Sequence, residues 1–181
     1  MPATLDPAPA DPDGRTIVDV SDAETRYVEI GGTPAQVWAF LWDADALGRV
    51  LPGCESISEE APGRYALVLA VRTSLLTVRA DATAEIHDPV APHAVVLTLD
   101  GTPRGIGGAF HVEVPLSLIE ETGGRGMRTR IGYDVEVRVS GGLAAFGTGM
   151  LREAIEAQVR GLAADIEAEI LAGRAPEPGA Y

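Results

Sequence analysis

Near its end the chain carries an apolar pattern with the period of an α-helix. From about residue 150 to residue 171, apolar side chains recur at intervals of three or four, with charged residues mostly between them. These apolar positions are Leu151, Ile155, Val159, Leu162, Ile166 and Ile170. The spacing predicts one long amphipathic helix with an apolar stripe. Gly161 lies in its middle and costs about 1 kcal/mol relative to Ala, so we expect packing of the stripe to stabilise the helix.

The residues before this helix alternate between apolar and polar side chains, which is the period of a β-strand. We predict strands over residues 25–30, 56–60, 64–71, 76–87, 93–99, 110–118 and 127–139. In residues 76–87 all apolar side chains fall on one face and all polar ones on the other. This pattern predicts an antiparallel sheet with one dry and one wet face, and long strands in such a sheet twist and curl.

Two short helices are predicted between the first two strands. Thr33 followed by Pro34 is typical of a helix start, because the hydroxyl caps free amides and proline suits the first helical position. Asp43 is placed to cap a second helix over residues 44–50. The predicted fold is therefore α+β, with a curved antiparallel sheet of about seven strands wrapped around a long C-terminal helix.

The length of 181 residues fits one domain with a sizeable core. We expect residues 1–23, which are rich in Pro, Asp and Ala, to be a flexible leader. As an alternative, Ile17, Val18 and Val20 add a short edge strand. Residues 24–172 then form the single domain, and residues 173–181 a short flexible tail.

Charge and cysteine content exclude several classes of partner. The formal charge is −13 and all 14 basic residues are Arg, so nucleic acid and anionic membranes would be repelled. The single Cys54 excludes an internal disulfide and suits a reducing compartment. No signal peptide and no apolar run of about 20 residues is recognisable. We expect a cytoplasmic protein, with at most peripheral contact at the inner face of the membrane.

The histidines predict no metal centre. His87, His93 and His111 lie on different segments, and none has the spacing of a metal ligand relative to Cys, Asp or Glu. His87 and His111 share the wet face with charged residues. We therefore expect no metal and no cofactor.

The other reactive side chains also favour structural roles. Asp81 and Glu85 point outward beside Arg79, which indicates a surface charge ladder rather than an acid–base pair. Cys54 follows a tight Pro-Gly turn without a nearby basic partner, so we interpret it as a buried structural thiol. Arg104 lies among glycines and is an exposed loop residue by default, with an acidic partner or a ligand head group as alternatives. No catalytic residue is assigned.

Four stretches of the chain resemble a known family. They are "TPAQVWAFLWDADALGRVLPGCESI" (33–57), "APGRY" (61–65), "GGLAAFGTGMLREA" (141–154) and, less closely, "GTPRGIGGAF" (101–110). From residue 25 to about residue 172 the chain resembles CoxG, a family of carbon monoxide dehydrogenase subunits. That family lies within the START and Bet v 1-like group of helix-grip proteins.

The resemblance implies a function as well as a fold. Similar proteins have the strand and helix order predicted above. It implies a non-catalytic accessory protein of a molybdenum hydroxylase of the carbon monoxide dehydrogenase type. The implied roles are recruiting that enzyme to the membrane and handling a lipophilic molecule, such as a quinone, in the grip cavity.

Small inward residues predict where such a molecule binds. Ala80, Ala82 and Ala84 leave volume on the dry face, and a glycine-flanked apolar loop over residues 141–149 precedes the helix. We predict an apolar pocket between the sheet and the helix. Its candidate lining residues are Leu67, Leu69, Val78, Ala80, Val95, Leu97, Phe110, Val112, Tyr133, Val135, Phe146, Met150, Leu151 and Ile155. Tyr65 and Tyr133 are the best inward polar groups, although each is more often a core residue.

Three functional classes remain open on the sequence alone. The first is a carrier of an apolar, lipid- or quinone-like molecule. The second is a docking or assembly factor with a filled core, and its interior would be fully packed. The third is an enzyme of the aromatase or cyclase type, which needs polar groups converging in the cavity. The almost wholly aliphatic inward positions count against the third class.

Overall fold

The computed structural model of the protein describes residues 18–19, 24–72, 76–124, 126–146 and 148–179. Its strands are β1 (Val18–Asp19), β2 (Arg26–Gly31), β3 (Cys54–Ala61), β4 (Arg64–Arg72), β5 (Thr77–Val90), β6 (Ala94–Pro103), β7 (Phe110–Gly123), β8 (Gly126–Tyr133) and β9 (Glu136–Val139). Its helices are α1 (Pro34–Leu41), α2 (Ala44–Val50), a 3₁₀ helix (Gly141–Phe146) and α3 (Thr148–Leu171). The predicted α+β class and element order are confirmed.

The strands form one antiparallel sheet in the order β1-β9-β7-β6-β5-β4-β3, with β8 also on β7 and β2 on β8. The strand predicted over residues 127–139 is interrupted between β8 and β9. The interruption lies opposite Pro115 of β7, whose carbonyl accepts a bond from the Asp134 amide at 3.4 Å. Proline has no amide hydrogen with which to return that bond. The missing ladder bond explains why pairing stops there and then resumes in β9.

Side chains on the sheet follow the predicted alternation. Tyr65, Leu67 and Leu69 of β4 are buried, and Ala80 and Ala82 of β5 are buried opposite them on the same face. We call this the inner face, because α2 and α3 pack on it. The outer face carries the charged and hydroxyl side chains.

Three apolar clusters fill the space between the inner face and the helices. The main core joins α1, α2 and the later part of α3 to the sheet through Ile30, Trp38, Phe40, Val50, Leu118, Ile131 and Ile166. The β4 cluster centres on Tyr65, Leu67 and Leu69 beneath α2. The β9 cluster centres on Val137, Val139 and Leu143 beneath the 3₁₀ helix and the start of α3.

Helix ends are fixed by the side chains that the sequence predicted. The Thr33 hydroxyl accepts a bond from the Gln36 amide at 3.2 Å, and Gln36 Oε1 accepts one from the Thr33 amide at 2.9 Å. Asp43 Oδ1 accepts a bond from the Ala46 amide at 2.8 Å and begins α2. Both reciprocal and single caps satisfy amides that a helix start leaves free.

The two ends of the chain are only partly described. Val18 pairs with Val139 of β9, so the alternative of a short edge strand applies to this residue. Ile17 and Val20 lie outside the described residues, as does most of the predicted leader. At the other end, Ala175 packs against the main core, while residues 180 and 181 are not described. The flexibility of leader and tail stays a prediction.

None of the helices in the described ranges combines the length and the apolar character that a bilayer-spanning helix needs.

Candidate functional site

A small cavity lies between α3, the start of β2 and the junction of β8 with β9. Its volume is about 20 Å³, which is enough for roughly one water molecule. It is lined by Glu24, Arg26, Tyr133, Val135, Val137, Arg152, Ile155, Glu156 and Val159. We call it the α3 cavity. Because it opens between the sheet and the terminal helix, it lies where the sequence predicted a pocket.

The floor of the α3 cavity is apolar and its rim is charged. Tyr133, Val135 and Ile155 belong to the floor, and Tyr133 is 8% exposed. At the rim Arg26 of β2 donates to Glu156 of α3, and the side chains are 29% and 31% exposed. This ion pair joins the sheet edge to the helix across the mouth of the cavity. An apolar floor beneath a charged rim suits an apolar or amphipathic molecule.

Glu156 has a second basic neighbour. Arg160 lies one turn later on α3, with its Nη1 atom 3.6 Å from Glu156 Oε2. The carboxylate is therefore shared between a residue of the sheet and a residue of its own helix. Such shared, partly exposed pairs contribute little to stability. The rim ion pair therefore spans the mouth of the cavity but can be broken at little energetic cost.

The predicted lining residues divide among the three clusters. Tyr133, Val135 and Ile155 line the α3 cavity. Phe110, Val112, Val135, Phe146, Leu151 and Ile155 pack in the β9 cluster. Leu67 and Leu69 are buried in the β4 cluster, and Val95 is buried in the main core with Leu97 packed on it.

The remaining three candidates are not members of these clusters among the described residues. Ala80 is 4% exposed and faces Leu69, while Val78 is partly buried opposite Val71 near the end of β4. Met150 is partly buried in the first turn of α3. That these residues contact a ligand stays a prediction.

Sequence reasoning missed most of the rim. The sequence pattern marked Val137 and Val159 as apolar positions, but they were not among the predicted lining residues. Arg26 and Glu156 are 130 residues apart, and no local pattern signals such a pair. Arg152 was seen only as a charged residue beside the stripe.

The two inward tyrosines have different roles. Tyr65 is 1% exposed and its hydroxyl donates to the Leu41 carbonyl at 2.8 Å, which ties β4 to the end of α1. Tyr133 lines the α3 cavity. Of the two phenols, Tyr133 is therefore the one placed to touch a ligand.

Outer-face residues form the charge ladder that the sequence indicated. Arg104 donates to both oxygens of Asp81, at 2.6 and 2.8 Å, and Arg64 donates to Glu85 at 2.6 Å. Hydrogen bonding and charge from Arg104 hold the pKa of Asp81 below its ordinary value. Arg104 thus has the acidic partner that was one of its alternatives.

An open groove of about 610 Å³ also lies on this outer part of the sheet. Its exposed lining residues include Ser56, Ser58, Asp81 and Thr102. Its two carboxylates have partners: Asp81 is bonded to Arg104, and Asp100 Oδ1 lies 2.7 Å from His111 Nδ1.

The histidines and the cysteine are structural in their contacts. His87 Nε2 lies 3.0 Å from Thr98 Oγ1, and His111 Nδ1 lies 2.7 Å from Asp100 Oδ1. Within the described ranges, no three His, Cys, Asp or Glu side chains are grouped to hold a metal ion. Cys54 is partly buried and not fully buried as predicted. This partial burial raises the pKa of its thiol, which donates to the Ser56 carbonyl at 3.4 Å. A raised pKa disfavours the reactive thiolate.

Two glycine-rich loops meet beside the start of α3. The Gly142 amide donates to the Gly107 carbonyl at 2.6 Å, and the Ser140 amide donates to the Ala109 carbonyl at 2.9 Å. A Cβ atom on Gly108 would lie 2.0 Å from the Ser140 carbonyl oxygen. The glycine-flanked loop before α3 is therefore fixed at its base by direct backbone contact.

A polar atom without a partner among the described residues lies on α3 itself. Gln158 is partly buried, and its Oε1 atom is fully buried without a hydrogen-bond partner. Buried amide oxygens are almost always bonded in native proteins. The sequence pattern did not single out this residue.

A single antiparallel sheet that holds a long C-terminal helix over an apolar cavity defines the helix-grip class of α+β proteins. Within that class, residues 27–171 match the CoxG family of carbon monoxide dehydrogenase subunits, and the chain belongs to that family. Comparison with curated proteins finds no match to the sequence.

Solved structures share the fold at low sequence identity. A conserved protein from Geobacillus kaustophilus has a TM-score of 0.73 and 23% identity, covering 82% of this chain and 95% of that one. A START superfamily protein from Mycobacterium smegmatis has a TM-score of 0.59 and 14% identity, covering 88% and 99%. The ZhuI aromatase/cyclase from Streptomyces sp. R1128 has a TM-score of 0.56 and 16% identity, covering 88% and 99%. At these identities the likeness concerns the fold alone.

Proposed function

We propose that the protein is a non-catalytic carrier that binds an apolar, lipid- or quinone-like molecule between the sheet and α3. The observation that supports this most is the apolar floor of the α3 cavity beneath its charged rim. Burial of an apolar ligand contributes about 25 cal/mol for each Å² removed from water. A long lipophile therefore binds tightly without a strong polar contact.

Entry of such a ligand requires movement. The α3 cavity has room for about one water molecule, so the start of α3 has to move away from β8 and β9. Every side chain described between residues 149 and 160 is at least partly exposed. The Arg26–Glu156 pair links β2 to α3 across the mouth, and partly exposed ion pairs contribute only up to about 1 kcal/mol.

The absence of catalysis by this chain is part of the proposal. The titratable groups at the cavity rim include Arg26 and Glu156, which bond to each other. A general base held by an arginine is poorly placed to take a proton from a substrate. The likeness to an aromatase/cyclase extends only to the fold, so it does not argue for that reaction.

Membership of the CoxG family supports a partner of a particular kind. We propose that the carrier serves a molybdenum hydroxylase of the carbon monoxide dehydrogenase type. We place it in the cytoplasm, with at most peripheral contact at the inner face of the membrane. The high negative charge disfavours nucleic acid as a partner.

A docking or assembly factor with a filled core is the second candidate. The observation that favours it is the small volume of the α3 cavity. Such a protein would act through its surface, and no apolar molecule would need to enter.

Filling the cavity distinguishes the two candidates. Val159 lines the α3 cavity, whereas Ala164 on the same helix is exposed. We expect Val159→Phe to abolish binding of a short-tailed quinone, measured by quenching of the fluorescence of Trp38 and Trp42. The matched control Ala164→Phe should bind like the wild type. Quinone affinity equal in all three proteins, or binding to none of them while folded, would contradict the carrier and favour the docking factor.

A further inference from the structure

The Gln158 side chain combines a buried oxygen with the lack of a bonding partner in the part of the chain that the structure describes. Its Oε1 atom is excluded from solvent and accepts no hydrogen bond there. On the same helix Glu156 accepts from Arg26, and Glu167 Oε1 accepts from the Gly31 amide at 3.0 Å. Glu169 Oε2 is also buried without a hydrogen bond, but its carboxylate forms ion pairs with Arg49 and Arg174. The Gln158 amide carries no charge and forms no ion pair that would offset the burial of its oxygen.

Its position on the helix is between two apolar contacts. Ile155, three residues earlier, packs in the β9 cluster, and Leu162, four residues later, packs on the main core. Residues three and four apart share a helix face, so Gln158 lies on the face that is turned toward the sheet. It directly precedes Val159, which lines the α3 cavity.

An apolar residue at this position would be the better choice for stability alone. Leaving a buried acceptor unsatisfied is unfavourable, and replacing it with an apolar group of similar shape is neutral or stabilising. Local features that oppose stability tend to be kept where function requires them. An amide oxygen facing the sheet is suited to accept a hydrogen bond from something that enters between the sheet and α3.

We propose that Gln158 is the specificity-determining residue of the carrier, and that its ligand is a lipophile bearing a hydroxyl group. The Oε1 atom accepts a bond from the ligand hydroxyl, while the aliphatic surroundings take up the apolar body. This inference rests on the proposed carrier function and adds the ligand's polar group to it. A lipophile of the same shape without a donor leaves the amide oxygen unsatisfied and binds more weakly.

Two probes with the same naphthalene body, of which only one has a donor, test the assignment. 2-Naphthol carries a hydroxyl, and 2-methoxynaphthalene replaces its hydrogen with a methyl group. We expect the wild type to bind the naphthol about tenfold more tightly than the ether, which is the effect of one hydrogen bond. Both affinities are measured by fluorescence titration at neutral pH.

Gln158→Met removes the acceptor and keeps the length and helix propensity of the side chain. We expect this variant to bind both probes with the affinity that the wild type has for the ether, and to melt at the same or a higher temperature. The control Ala157→Met, at an exposed neighbouring position, should keep the tenfold preference.

The outcomes separate this inference from the function on which it rests. Equal affinity of the wild type for the two probes, or a preference that survives in Gln158→Met, would overturn the role of Gln158 while leaving a carrier. Binding of neither probe to any folded variant would count against both the carrier and the inference.

Discussion

The two halves of α3 are held to the molecule in different ways. In the C-terminal half, Ala163 and Ile166 are 6% exposed and belong to the main core. Glu167 accepts the Gly31 amide of β2 at 3.0 Å. In the N-terminal half, each side chain described between residues 149 and 160 is at least partly exposed. A buried apolar anchor thus holds one half, while the contacts of the other include partial packing and the Arg26–Glu156 ion pair at the rim.

Charged contacts follow the same division. Glu169, in the C-terminal half, lies 3.5 Å from Arg49 of α2 and 2.5 Å from Arg174 after the helix. The helix ends at Leu171, and beyond it the Gly173 amide bonds to the Ile170 carbonyl and the Arg174 amide to the Glu169 carbonyl. This is a Schellman end, which satisfies the last carbonyls. The comparison teaches that α3 is anchored at its end and is free to yield at its start.

An Asp substitution in each half of α3 should give the largest difference in stability between the two halves. We expect Ile166→Asp to unfold the domain, because an uncompensated buried charge is destabilising by about 3–5 kcal/mol. Ile155→Asp, at a partly exposed position packed against the β9 cluster, should lower the free energy of unfolding by much less. Thermal and urea melts followed by circular dichroism measure both. Equal losses in the two variants would mean that the halves are anchored alike.

Replacing a glycine in each half of α3 tests the same difference in packing with a smaller expected change in stability. A Cβ atom on Gly161 would lie 2.9 Å from the Pro52 ring, whereas one on Gly149 would have no neighbour within 4 Å. Alanine favours a helix over glycine by up to about 1 kcal/mol. We expect Gly149→Ala to raise the melting temperature and Gly161→Ala to leave it unchanged or lower it. A clear rise for Gly161→Ala would show that the contact with Pro52 yields easily.

The smallest effect that we expect is on the pH dependence of stability in acid. Bonds from Arg174, with a further contribution from Arg49, hold the pKa of Glu169 below its ordinary value. A carboxylate with a lowered pKa stabilises the fold above its unfolded pKa, and that stabilisation is lost as pH falls through the folded pKa. Below about pH 5 we therefore expect the stability of Glu169→Gln to fall less steeply than that of the wild type.

The control for this experiment is Glu153→Gln, at an exposed position in the N-terminal half. Its urea midpoints should follow those of the wild type between neutral and acidic pH. If Glu169→Gln also follows the wild type, the ion pairs of Glu169 do not contribute to the anchoring of the C-terminal half.

The fold was predictable because its signals are local. The period of the stripe predicted α3 to within two residues of its observed start, and Thr33 and Asp43 predicted both short helices. The break between β8 and β9 was not predicted, because it depends on Pro115 of the neighbouring strand. The alternation within one strand does not reveal that a residue of the neighbouring strand lacks a backbone amide to donate.

The site was predictable only in part, and for a related reason. Strand alternation identified Tyr133 and Val135 as inward residues, and the helical stripe identified Ile155. The structure brings the three together at one cavity. The pair of Arg26 with Glu156 depends on a tertiary contact. The unsatisfied state of Gln158 depends on the absence of a tertiary partner among the described residues. Neither leaves a pattern in the sequence.

The backbone contact between the glycine-rich loops has a consequence for mutational tolerance. Gly108 and Gly141 have positive φ angles of 123° and 65°, and a Cβ atom on Gly141 would lie 2.6 Å from the Gly108 Cα atom. A single methyl group at either position would push the loops apart. Gly107, directly beside them, has open space for a side chain. Two neighbouring glycines in one short loop thus differ completely in how much variation the protein can accept there.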